Sequence, residues 1–291
     1  MQRWLWLIGT KLIHRLPVQF VYKLAKIIGK IVFVVWVRGR KNMLANYKHV
    51  LPNATESERR KIARQSLENY CCYIVDFARL PNIPPCLVES ALAKDEHFEA
   101  IDRALERKRG LIVVVMHFGN WDLGASSAAL KGYPITVLAE TFSDRHLDKL
   151  IVSAREKLGL KVTKIEGTAP SIIRDLRSNR LLAILLDRPM QDGGGVQVKF
   201  FGSDLVVPAG PARLALRTGA AIVNVAFPKL RSNDLSISML SSFVASQEED
   251  SDHNNKDAVQ KLTQTIMDEH EKFIRLHPTQ WYMFRRMWPL D

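Results

Sequence analysis

Apolar and polar positions follow two rhythms along this chain, and their alternation predicts its architecture. Leu111 to Met116 is a short, β-branched apolar run, followed at Gly119 by a residue suited to a sharp turn, which predicts a fully buried and parallel strand. Comparable runs predict strands at Ile135–Ala139, Lys161–Ile165, Leu181–Leu186 and Ala221–Phe227, with strand patterns also at Val196–Phe201 and Leu235–Leu240. Between them, helical spacing predicts helices near Asp122–Lys131, at Asp144–Leu158 closed by Gly159, and near Ala169–Arg177. Another is opened by Val207-Pro208-Ala209-Gly210-Pro211-Ala212 and ends at Gly219. Helices over Glu56–Arg79 and about Glu89–Lys108 precede the first strand, and one over about Ala258–Leu276 closes the pattern. The fold class read from this is α/β: a central, mostly parallel sheet flanked by helices on both faces.

The N-terminal stretch has a different pattern. Residues 1–55 hold no Asp or Glu, while Arg3, Lys11, Arg15, Lys23, Lys26, Lys30, Arg38, Arg40, Lys41 and Lys48 are basic, so nearly all of the net charge of +12 lies here. Trp4, Trp6, Phe20, Tyr22, Phe33 and Trp36 lie between them, and Lys23, Lys26 and Lys30 recur at helical spacing. A basic stripe on an apolar, aromatic helix is the composition of a helix lying in a membrane interface. The uncharged run Ile31–Val37 is far short of the ~20 residues that span a bilayer. Lys11 and Arg15 interrupt the early apolar run, and no small-residue cleavage site follows, so a signal peptide is not expected. The expected organisation is an anchoring segment over 1–41 and one large domain over 42–291, with an anionic membrane surface as partner. The alternative is an amphipathic helix docked on its own domain. Nucleic acid is not expected, because aliphatic residues rather than polar ones separate the basic residues. Cys71 and Cys72 are adjacent and Cys86 has no evident mate, which points to reduced thiols, the first two as core.

Candidate chemistry gathers where the strands end. His117 stands just past the Leu111–Met116 strand, where open α/β sheets bind ligands. Asp122, five residues on, is the local carboxylate that can orient the ring, Gly119 lets the connection bend, and Asn120 or Asp122 can cap the next helix. Glu140 follows Ile135–Ala139, and Asp187-Arg188 follows Leu181–Leu186; carboxyl ends of parallel strands share one edge, so these groups can converge with His117. Asp192-Gly193-Gly194-Gly195 reads as a turn or mobile flap, not a phosphate loop, because no Gly-Lys-Ser/Thr accompanies it. QEEDSDHNNKD at 247–257 reads as a surface loop.

HFGNWD, VLAETFSDRHLDKLIVSAREKLGLKV, LLDRPMQDGGGVQVKFFG, VPAGPARLALRTGA and HPTQWYMFRRMWP, in this order, resemble the bacterial lipid A biosynthesis acyltransferases, within the lysophospholipid acyltransferase superfamily. They are more similar still to the phosphatidylinositol mannoside acyltransferase branch. The resemblance implies transfer of a fatty acyl group from acyl-CoA or acyl carrier protein to a hydroxyl of a membrane glycolipid. It further implies an α/β core with an N-terminal anchor at the cytoplasmic face of the bacterial inner membrane, and no metal or tightly bound cofactor. The His-x4-Asp pair matches His117 and Asp122, and Glu140, Arg155, Asp187 and Arg188 match recurring polar positions around the site. Asp187-Arg188 replaces the Asp-Gln common in lipid A enzymes, which leans toward the mannoside branch.

The expected mechanism has His117, held by Asp122, take the proton as the acceptor hydroxyl attacks the thioester. Backbone N–H groups at the helix start, with Gly119 and Asn120 as candidates, or an arginine meet the charge on the tetrahedral oxygen. Arg155 and Arg188 are candidates for an acceptor phosphate. No Gly-x-Ser-x-Gly elbow is present, which disfavours a serine hydrolase. A phospholipid acyltransferase of the lysophosphatidic acid type and a non-catalytic membrane scaffold are the other readings.

Overall fold

The computed structural model describes residues 13, 15–93, 96–141, 144–165, 169–190, 195–231, 234–244 and 255–288 of the chain. The expected turn or flap at 192–194 and most of the acidic stretch at 247–257 lie outside the described residues, as do Trp4 and Trp6.

Three helices come first: α1 (Val18–Val35), α2 (Val37–Val50) and α3 (Glu56–Arg79). Helix α3 begins in a capping box, in which the Thr55 side chain accepts from the Glu58 N–H and Glu58 accepts in return from the Thr55 N–H. Such a cap contributes about 1 kcal/mol and sets where the helix starts. Helix α1 lies along α3 with Val21, Tyr22, Ala25, Gly29 and Phe33 buried. A Cβ at Gly29 would stand 2.7 Å from the Cα of Glu68, so only glycine permits this approach of the two helices. The opposite face of α1 is open to solvent: Ile31 is 55%, Val34 63% and Val35 67% exposed. Among the described residues no helix is long and apolar enough to cross a membrane. The boundary expected after residue 41 falls inside α2, whose Met43, Tyr47 and Val50 belong to the main core.

The stretch expected as one helix over about Glu89–Lys108 is two, α4 (Pro85–Ser90) and α5 (Glu96–Leu105). Pro85 starts α4, since a proline at the first helical position lacks only an N–H that would be unpaired there anyway.

From Leu111 the expected alternation follows: β1 (Leu111–Val115), α6 (Trp121–Leu130), β2 (Ile135–Ala139), α7 (Arg145–Glu156), β3 (Lys161–Lys164), α8 (Ala169–Arg177) and β4 (Leu181–Leu185). A hairpin of β5 (Val196–Phe200) and β6 (Ser203–Val207) leads to α9 (Gly210–Thr218), β7 (Ala221–Ala226), β8 (Leu240–Val244) and α10 (Lys256–Leu276). The main sheet runs β3-β2-β4-β1-β7-β8, parallel except for β8, which is antiparallel to β7. The last strand thus begins where Leu235–Leu240 was expected to end: Leu240 pairs with Ala226 and Val244 with Ile222. Its polar Ser241 and Ser242 carry no strand pattern of their own, and pairing with buried β7 decides their conformation.

Strand β1 is hydrogen-bonded on both sides and buried throughout, which is why its residues are apolar without alternation. Its Ile112 and Val114 face a core formed with α8, α9 and α10, and its Leu111, Val113 and Val115 face a second core formed with α4, α5 and α6. Each such side chain contributes about 1.5–3 kcal/mol on burial, so β1 is held more firmly than any group it presents at its end.

Candidate active site

The parallel register of β1 and β4 brings the principal groups together. Val115 pairs with Leu185, and the Leu186 N–H donates to the Val115 carbonyl at 3.1 Å, so the chains remain abreast beyond the strand ends. Two residues further on, His117 stands opposite Asp187. The His117 N–H donates to Asp187 Oδ2 at 2.9 Å, and His117 Nδ1 lies 2.7 Å from Asp187 Oδ1. Burial pushes the Asp187 carboxyl up, but the His117 ring and the hydrogen bonds from its side chain and N–H outweigh that and hold it below the usual carboxylate range. An ionised Asp187 fixes the proton on Nδ1 and leaves Nε2 as the acceptor. Among the described residues no hydrogen bond engages Nε2, and His117 borders a cavity of about 1000 Å³.

Asp122, expected to hold His117, does something else. Its Oδ1 accepts from Arg155 Nε at 2.7 Å, and its Oδ2 accepts from Tyr73 Oη at 2.7 Å and from Arg155 Nη2 at 3.3 Å. The sequence places Asp122 in the first turn of α6, one turn away from the strand end, and its two oxygens are taken by groups from α7 and α3. Arg155 is therefore paired with a carboxylate rather than open to a phosphate, and the charge of Asp122 outweighs burial to raise its already high pKa. Its neighbour Trp121 stands edge-on to the His117 ring at 5.4 Å.

The turn between His117 and α6 is stitched on both sides. The Gly119 N–H donates to the Gln280 carbonyl at 2.9 Å, the Asn120 N–H to the Phe227 carbonyl at 2.8 Å, and the Tyr282 N–H to the His117 carbonyl at 2.8 Å. The N–H groups of Gly119 and Asn120, expected as oxyanion candidates, are thus committed to backbone carbonyls. Gly119 has φ +60°, and a Cβ there would lie 2.0 Å from the Phe227 carbonyl oxygen, so it is a packing and turn residue. Asn120 caps α6 by accepting from the Leu123 N–H at 3.1 Å, and its Nδ2 donates to Asp76 Oδ2 at 3.0 Å. Asp76 also receives Lys229 Nζ at 2.6 Å and the Tyr22 hydroxyl, so α1 shares a buried polar cluster with the active-site turn.

Glu140 and Arg188 meet at the cavity mouth, with Arg188 Nη1 2.6 Å from Glu140 Oε2. Arg213 and Arg217 also line the cavity and escaped the sequence reading, because their significance depends on which helix face turns inward; Arg285 lines it too, from the segment after the last helix. Asp76 and Tyr73 left a legible trace: polar groups on the buried face of an otherwise apolar helical stretch, YCCYIVDF.

Behind the dyad, His270 on α10 is fully buried, both its ring nitrogens lack partners among the described residues, and burial lowers its pKa to about 4, against the opposing pull of Asp187. A histidine held neutral in the folded state and free to protonate when unfolded contributes stability above its unfolded pKa of about 6.5, lost as pH falls from there to about 4. The loss is about 1.4 kcal/mol per pH unit in that window. Urea midpoints at pH 7 and pH 4.5 are expected to drop less for His270→Leu than for the wild type; equal drops would assign the acid loss to other groups.

The sequence profile of the family described as bacterial lipid A biosynthesis acyltransferase matches residues 1–289. The chain is 28% identical over 249 residues to the phosphatidylinositol mannoside acyltransferase of Mycolicibacterium smegmatis, covering 79% of this chain and 73% of that protein. It is 27% identical over 243 residues to the protein of the same name from Mycobacterium tuberculosis, covering 78% of this chain and 70% of the other. A histidine at the end of a parallel strand, oriented through one nitrogen and open to an apolar cavity through the other, is chemistry suited to activating a hydroxyl. With a profile match running from end to end of these elements, the chain belongs to the bacterial lipid A biosynthesis acyltransferase family and is an acyltransferase.

Proposed function

We propose that this protein transfers a fatty acyl group from an acyl thioester, acyl-CoA or acyl carrier protein, to a hydroxyl of a membrane glycolipid of the phosphatidylinositol mannoside type. The observation that carries this reading is that His117 borders a cavity whose depth, between the sheet and α5 and α6, is apolar: Phe98, Ile101, Val113, Ala128, Ile135 and Val225 line it. An acyl chain gains about 0.8 kcal/mol per buried methylene in such a chamber, which draws the thioester carbonyl up to the strand ends.

His117 Nε2 takes the proton from the acceptor hydroxyl as its oxygen attacks the thioester carbonyl. The tetrahedral intermediate then expels the thiolate, which regains a proton from the imidazolium, leaving an ester and a free thiol. Asp187 keeps the ring in the reactive tautomer and stabilises the imidazolium. Asp122, Arg155 and Tyr73 form the rigid wall against which Trp121 and the His117 ring stand.

The exposed apolar face of α1 suits contact with an anionic bilayer at the cytoplasmic side of the bacterial inner membrane. Trp36, which ends α1, lies 6.0 Å from Phe284, and Phe284 lies 4.9 Å from Tyr70 at the cavity wall, so the face that would meet lipid adjoins the cavity. The test is acyl transfer from radiolabelled palmitoyl-CoA and palmitoyl acyl carrier protein to extracted bacterial membrane lipids. Label in a mannosylated glycolipid is expected; label confined to lysophospholipids, or in no lipid with folded enzyme present, would refute the reading.

A further inference from the structure

The cavity has a second branch that the acyl chain does not need. Side chains alternate across a strand, so Leu181, Ala183 and Leu185 of β4 face the α5–α6 side while Ile184 faces the opposite side. Ile184 nevertheless lines the cavity, with Leu138 of β2 from the same side of the sheet and Ile172 of α8. The cavity therefore passes over the carboxyl ends of the strands and continues between α8 and α9.

Gly210, Arg213, Leu214 and Arg217 line this branch, at positions i, i+3, i+4 and i+7 of α9, one continuous helix face. The face is mixed: Leu214 continues the apolar floor, while Arg213 and Arg217 are exposed at its rim, and neither has a carboxylate partner among the described residues. Arg188 and Arg285 extend the basic rim toward His117, where the two acidic side chains lining the cavity among the described residues, Glu140 and Asp122, are paired with Arg188 and Arg155.

We propose that the α8–α9 groove is the subsite for the anionic phosphate of the acceptor lipid, gripped by Arg213 and Arg217, with its glycerol and proximal acyl carbons on the floor of Leu138, Ile172, Ile184 and Leu214. The inference rests on the proposed reaction for the presence of a lipid acceptor and adds where and by what that acceptor is held. Unpaired guanidinium groups in a row suit a phosphate, which accepts paired hydrogen bonds in their plane. The apolar floor decides between the two phosphate-bearing substrates. Beyond its thioester, the donor continues as polar pantetheine before its phosphates, whereas in a glycerophospholipid acceptor phosphate and hydrocarbon adjoin.

Binding is read without turnover, so failure of this inference is separable from failure of the reaction. The probe for the acceptor is dihexanoylphosphatidylinositol below its micelle concentration, and the probe for the donor is palmitoyl-CoA, each titrated calorimetrically into the full chain. Arg213→Gln/Arg217→Gln is expected to weaken the phosphoinositide at least about tenfold, the loss of charge-assisted hydrogen bonds, and to leave palmitoyl-CoA within about twofold. Arg213→Lys/Arg217→Lys, which keeps the charge, is expected to fall between. An unchanged phosphoinositide affinity would make these arginines solvated surface charges and overturn the proposal. So would a loss confined to palmitoyl-CoA, or an equal loss for both ligands, which is a general field effect.

Discussion

Replacing His117 by Gln is expected to lower acyl transfer by about 10²–10⁴-fold with the fold retained, the range by which a positioned general base accelerates a proton transfer. Gln is chosen because its amide can still donate to Asp187, which is fully buried and would otherwise lose its Nδ1 partner. His117→Ala is the stricter removal, expected to show the same kinetic loss with some loss of stability, since it leaves a buried carboxylate with the backbone N–H of residue 117 as remaining donor. Initial rates with palmitoyl-CoA and saturating acceptor, alongside near-ultraviolet circular dichroism, separate the two effects. Near-normal turnover by either folded variant would remove His117 from the chemistry.

Asp187→Asn is expected to cost about 10²–10⁴-fold in kcat while changing stability little, and the reason is tautomeric. The Asn oxygen can still accept from the His117 N–H, which turns its amide nitrogen toward Nδ1. Nδ1 must then accept, the proton moves to Nε2, and the ring can no longer take a proton from the acceptor. Asp122→Asn probes a different role. It leaves the largely covered Arg155 without its counter-charge, which costs up to about 3–5 kcal/mol, so its loss of activity is expected to come with a lowered unfolding midpoint. If Asp122→Asn lost turnover at unchanged stability while Asp187→Asn kept near-normal kcat, the assignment of the two carboxylates would be reversed.

These two variants also mark the limit of what sequence could resolve at the site. His-x4-Asp is a local spacing, and proximity in the chain suggested proximity in space. The α6 helix turns Asp122 toward α3 and α7, whereas Asp187, seventy residues away, reaches His117 through strand pairing. The expected convergence of Glu140, Asp187 and Arg188 with His117 at one sheet edge rested on strand direction alone, and direction was legible because strands and helices alternate from β1 to β4. Which strand neighbours which was not: β4 inserts between β2 and β1, out of chain order. Gly119 and Asn120 were legible as turn and cap, but their N–H groups were not known to be taken until Phe227 and Gln280 came alongside.

By itself, the sequence determined the fold class and most of the elements, because burial of a parallel strand demands continuous apolar residues and an amphipathic helix demands a period of 3.6, and both are local properties. It determined His117 as the reactive candidate by placing it at a strand end. The basic, acid-free N-terminus was equally plain, because charge needs no fold to be counted. Tertiary structure alone decided that Asp187 orients the histidine, that Asp122 and Arg155 neutralise each other, and that one face of α9 lines a groove with arginines. Each depends on contacts between segments distant in sequence, and register, strand order and helix rotation bring those contacts about.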